Sequence, residues 1–163
     1  MAVPALGKTF ASVFAALIAV AGFALPARAD VDGPAAAAIN DQLEKTILQC
    51  FSMGEEKPCK MSELFLNGSV FYGDYSGDGV DDAVAFLYMQ NAGGGNSFDI
   101  NIWAFKGAAG GFAFDREVQD VFGTEPRNAK FSKGKLAITT TMPKPGDPRC
   151  CPTGKKTWTI GLK

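Results

Sequence analysis

The sequence predicts an α+β domain: an N-terminal helix packed on an antiparallel sheet of about six strands. Two observations predict it. Apolar residues recur with helical spacing between Ala35 and about Cys50, and from Ser69 onward they alternate instead. A third sets the compartment: four cysteines stand behind an uncharged apolar N-terminal run.

That run has the layout of a signal peptide. Lys8 gives a positive start, Phe10 to Leu25 form the apolar core, and Ala27-Arg28-Ala29 is a small-x-small cleavage pattern. Residues 1–29 are therefore expected to be cleaved and residues 30–163 to form a single domain, periplasmic or secreted. About 16 apolar residues fall short of the roughly 20 that a bilayer span needs.

The helix follows Asp32-Gly33-Pro34, with proline near the first turn, where its missing N–H costs nothing. Ile39, Leu43, Ile47 and Cys50 form one apolar stripe, and Gly54 and Pro58 end the pattern. A short second helical turn is expected around Met61 to Leu66. Strands follow at Ser69 to Tyr72, Ala83 to Met89, Phe98 to Phe105, Phe112 to Glu117, Leu136 to Met142 and Trp158 to Leu162. Val84, Phe86 and Tyr88 point one way, and Ala83, Ala85, Leu87 and Met89 the other. A strand apolar on both faces is central and covered on both sides.

Between the first two strands lies Gly73-Asp74-Tyr75-Ser76-Gly77-Asp78-Gly79-Val80-Asp81-Asp82. Asp74, Ser76, Asp78 and Asp82 stand at relative positions 1, 3, 5 and 9, with Gly79 at 6 and the Val80 carbonyl at 7. This is how a short loop wraps oxygens around Ca²⁺. It is not an EF-hand, because position 12 is Ala85 rather than a bidentate glutamate. The competing expectation is a plain turn whose aspartates cap backbone amides.

Cys50, Cys59, Cys150 and Cys151 suggest disulfides, and three pairings are open. Their spacing lacks the close cysteine knuckle of a zinc site, and the chain has no histidine to complete one.

The segment Asp74 to Val84 resembles the calcium loop of FG-GAP (integrin α-type) repeats, D-x-N-G-D-G-x-x-D, with Ser76 in place of Asn. The resemblance implies Asp74, Asp78 and Asp82 as side-chain ligands, and a hydroxyl at position 3 implies weak binding. Gly146-Asp147-Pro148-Arg149-Cys150-Cys151-Pro152, together with the earlier G-D-G-x-x-D-A-V stretch, is similar to small exported bacterial proteins and mycobacterial-type lipoproteins. That resemblance implies compartment and fold rather than an activity. No cysteine lies near the cleavage site here, which argues against a lipid anchor.

Charge is segregated along the chain. Residues 30–126 carry 16 acids against 5 bases, whereas residues 127–163 carry 9 bases against Asp147 alone. Two expectations follow: the basic segment pairs with the acidic one, or Lys130, Lys133, Lys135, Lys144, Lys155 and Lys156 form a face for an anionic envelope polymer or a protein partner. Nucleic acid is a poor partner for an exported chain of acidic pI. Without histidine, no His-based triad or general base can be built. Asp81 and Asp82 are strand neighbours that point apart, so they do not converge as a carboxylate pair. The expected role is a non-enzymatic binding or accessory module, with Ca²⁺ as the candidate cofactor.

Overall fold

The computed structural model describes residues 31–52, 63–91 and 98–163. The expected signal peptide, Cys59 and the Gly93–Gly95 run lie outside these residues. Helix α1 (Ala36–Ser52) is followed by strands β1 (Glu63–Gly73), β2 (Asp82–Asn91), β3 (Phe98–Ala108), β4 (Gly111–Val118), β5 (Thr124–Ser132), β6 (Lys135–Met142) and β7 (Gly154–Gly161).

The strands do not form the expected single sheet. They form a four-stranded sheet, β1-β2-β3-β4, and a separate three-stranded sheet, β5-β6-β7. Every pairing is antiparallel and joins sequence neighbours. The fold is thus mostly β, with one helix among the described residues, and the α+β expectation is corrected. The expected helical turn around Met61 to Leu66 is corrected too: Glu63 onward is already strand β1.

The reason for two sheets lies in β2, buried from Asp82 through Tyr88. One of its faces, Ala83, Ala85 and Leu87, packs with Ile39 and Leu43 of α1 and with Trp103 and Phe105. The other face, Val84, Phe86 and Tyr88, packs with Leu136, Ile138 and Ile160 of the second sheet. Helix on one side and sheet on the other give three layers. Cross-strand pairs match large to small: Ala83 opposes Phe105, Ala85 opposes Trp103, and Val84 opposes Ala104. The alanines leave room for the rings, so the helix can approach the sheet closely.

The helix is seated by polar contacts as well. The Ala36 amide donates to the Gly33 carbonyl at 3.0 Å, and the Ala35 amide donates to the Tyr72 hydroxyl of β1 at 3.3 Å. After β4 the chain crosses to the second sheet through residues 119–123. There Thr140, buried in β6, donates to the Phe122 carbonyl at 2.8 Å and accepts from the Trp158 indole at 2.8 Å. Tyr88 reaches the Gly123 carbonyl at 3.4 Å, and burial followed by the Glu125 charge pushes its phenol up to about 12.

The sequence reading names no strand over β5, although Ser132-Lys133-Gly134 reads as the hairpin turn that joins it to β6. Two register shifts interrupt its pairing with β6, and Glu125 and Asn128 take positive φ values of 49° and 55°. Bulged strands lose the two-residue period that makes strands readable.

Ile39→Ala removes a fully buried side chain from the helix-facing core and is expected to cost about 2–5 kcal/mol. Phe114→Ala, at a residue 41% exposed, should cost far less. Urea unfolding of both variants checks the contrast; equal losses would mean that the helix is not part of the core.

The aspartate loop as candidate metal site

The loop joins β1 to β2, and Asp82, the first residue of β2, is wholly buried beneath it. One of its oxygens, Oδ2, accepts the amides of Tyr75 at 2.9 Å and Ser76 at 2.7 Å. The other, Oδ1, accepts the amide of Gly107 at 3.0 Å, 25 residues away in β3. A Cβ at position 107 would overlap the Asp81 carbonyl oxygen, so only glycine brings that amide so close. Asp82 therefore ties the β1–β2 loop to the end of β3.

Asp74 closes the outer part of the loop. Its Oδ1 accepts from the Gly77 amide at 2.5 Å, the Asp78 amide at 3.2 Å and the Ser76 hydroxyl at 3.2 Å. Its Oδ2 accepts from the Gly79 amide at 2.9 Å. These donors, the Gly79 amide foremost and then that of Gly77, hold the Asp74 carboxyl below its ordinary value. Asp78 caps the Val80 amide at 2.8 Å, and Val80 itself is exposed.

Each carboxylate oxygen has about two lone pairs. Asp74 Oδ1 and Asp82 Oδ2 are therefore filled by donors of the loop. Asp74 Oδ2 and Asp78 Oδ1 each accept one amide. Among the described residues no three acidic or thiol side chains are grouped to hold a metal. As arranged, the aspartates of the loop accept its own backbone amides.

Sequence reasoning missed Tyr75, the residue that makes this loop a joint. It is completely buried. Its carbonyl accepts the Gly134 amide of the β5–β6 turn at 2.7 Å, and its hydroxyl donates to Asp115 of β4 at 3.2 Å. Burial, then the charge of Asp115, raises its phenol well above the ordinary value. Burial alone would raise the Asp115 carboxyl, but the Arg116 guanidinium at 2.9 Å, the Tyr75 hydroxyl and Lys106 at 3.5 Å outweigh it and hold the group low. The one available signal was an aromatic residue inside an otherwise polar, glycine-rich turn.

The six lysines are not brought together. Lys130, Lys135 and Lys155 lie on the face of the three-stranded sheet turned away from the core, opposite Ala137, Gly161 and Thr141. Lys156 lies on the other face, its ammonium 3.5 Å from the centre of the Trp158 ring. Lys133 sits in the β5–β6 turn, and its stem lies over Gly77, the Cδ 2.9 Å from where a Cβ would stand. A basic residue thus lies against the acidic loop. Lys144 stands in the loop between β6 and β7.

In that loop Asp147 accepts the amides of Lys144 at 2.8 Å and Thr153 at 2.7 Å, and the Thr153 hydroxyl at 2.9 Å. The Thr153 amide first, then that of Lys144, lowers its carboxyl. The sulfurs of Cys150 and Cys151 stand at disulfide distance from each other. Cys59 and the Cys50 side chain lie outside the described residues.

Asp82→Ala should leave three amides without acceptors at the base of the loop and cost on the order of 3 kcal/mol in urea unfolding. The lowered carboxyls carry a sign as well. A folded pKa below the unfolded value of about 3.9 gives stability that is present above it and is lost as pH falls through the folded value. The melting temperature should therefore drop below about pH 4, and Asp74→Asn should flatten that drop. Identical acid slopes in the two proteins would refute the assignment. No family model matches this chain, and neither a curated protein nor a solved structure matches it.

Proposed function

We propose that this chain is an exported, non-enzymatic binding or accessory module, in which the aspartate loop joins the two sheets and binding falls to the outer face of the three-stranded sheet. The observation that carries this reading is the placement of Lys130, Lys135 and Lys155, with Arg127, on one face that the core does not use. Arg127 is steadied there by a 2.9 Å hydrogen bond to the Thr141 hydroxyl, and Thr139 and Thr157 share a 2.9 Å bond across the same face. The Thr141 hydroxyl donates in turn to the Glu125 carboxylate at 2.9 Å, so one acid stands among the four cations. The surplus of positive charge suits a polyanion such as an acidic glycan of the envelope.

The residues that could have served catalysis support the same reading. The chain has no histidine. Asp74, Asp82 and Asp147 hold backbone amides, and Asp115 holds Tyr75 and Arg116. Asp81 is exposed while its neighbour Asp82 is buried, so the two do not face one substrate.

A binding isotherm on heparin or another acidic polysaccharide should weaken steeply with salt. The triple variant Lys130→Ala/Lys135→Ala/Lys155→Ala should lose most of the affinity while keeping its melting temperature. Binding that ignores salt, or survives the triple variant, would sink the proposal.

Calcium binding by the loop is the second reading, favoured by the spacing of Asp74, Ser76 and Asp78 and by the Val80 carbonyl. Melting in millimolar CaCl₂ and in EDTA separates it from a self-capped loop. Equal midpoints are expected of the self-capped loop. A cation at 100 times its Kd would instead add about 2.7 kcal/mol.

A further inference from the structure

We propose that the Cys150–Cys151 bridge is a thiol–disulfide exchange site that takes a dithiol as its co-reactant. A disulfide stabilises a fold mainly by restricting the unfolded chain, and the effect grows with the number of residues enclosed. This bridge joins residues one position apart, so it restricts almost nothing. Crosslinking does not account for it.

Its surroundings suit chemistry better. Both cysteines are exposed, at the tip of the segment between β6 and β7. The segment is held in shape without the sulfurs. Asp147 gathers the amides of Lys144 and Thr153 and the Thr153 hydroxyl, and its own amide donates to the Lys144 carbonyl at 3.0 Å. The Cys151 amide donates to the Pro148 carbonyl at 3.0 Å, closing a turn around the pair. None of these contacts uses a cysteine sulfur. The dithiol form is therefore presented on the same frame as the bridged form.

The reaction balances within the two partners. A thiolate of the co-reactant attacks one sulfur, and the bond between Cys150 and Cys151 breaks to give a mixed disulfide and one free thiolate. The second thiol of the co-reactant then displaces the protein sulfur. Cys150 and Cys151 gain two electrons and two protons as thiols, and the co-reactant leaves as its own disulfide.

The test uses the full chain with dithiothreitol as the dithiol, quenched with N-ethylmaleimide and peptide-mapped. The peptide holding Cys150 and Cys151 should carry two labels while circular dichroism still shows the folded protein. Reoxidation should restore the bridge without dimers. The variant Cys150→Ser/Cys151→Ser should melt within about 2 °C of the parent. Labels that appear only as the fold melts would overturn the proposal, as would a larger fall in the double variant. A map joining Cys150 or Cys151 to Cys50 or Cys59 would do the same.

Discussion

The buried carboxylate of Asp82 is the constraint on which the rest of the structure depends. A charged group without water is stable only when its oxygens are filled, and here three amides from two distant segments fill them. Those amides fix where the β1–β2 loop lies relative to the end of β3. With the loop so placed, Tyr75 is driven into the core, where it meets β4 through its hydroxyl and the β5–β6 turn through its carbonyl. One aspartate thus sets the position of an anchor that both sheets share. Lys133, over Gly77, adds a second contact between the β5–β6 turn and the same loop.

Much of this was legible in the sequence, and the boundary of legibility has a physical cause. The stripe of Ile39 and Leu43 announced a helix because a 3.6-residue apolar period arises from little besides a helix with one buried side. Val84, Phe86 and Tyr88 against Ala83, Ala85 and Leu87 announced a strand covered on both faces. What covered the second face could not be read. Leu136, Ile138 and Ile160 alternate in the same way whether their strands extend the first sheet or lie across it. One sheet and two stacked sheets therefore write the same pattern, and the difference lies in the crossing at residues 119–123.

The aspartate loop was ambiguous for a related reason. Oxygens at alternate positions with glycine between them serve a cation or a set of backbone amides equally well. The third donor to Asp82, from Gly107, comes from a part of the chain that no local pattern connects. The basic segment shows the same limit. Nine bases within 37 residues look like one surface in sequence, yet strand parity puts Lys155 and Lys156 on opposite faces, and a turn carries Lys133 to the acidic loop. Net charge says how much attraction is available; register says where it points.

The strand order has a consequence for how the chain folds. Each strand pairs with the one before or after it, so both sheets are meanders, with the longest connection among the described residues between Met142 and Gly154. Closing short loops costs little entropy, and each sheet can assemble from its own hairpins. The contacts that span the sequence are those between layers: Tyr75 with Gly134, and Val84 and Phe86 with Ile138 and Ile160. With docking of two preformed sheets as the barrier, substitutions within a hairpin should slow folding and leave the unfolding rate nearly unchanged.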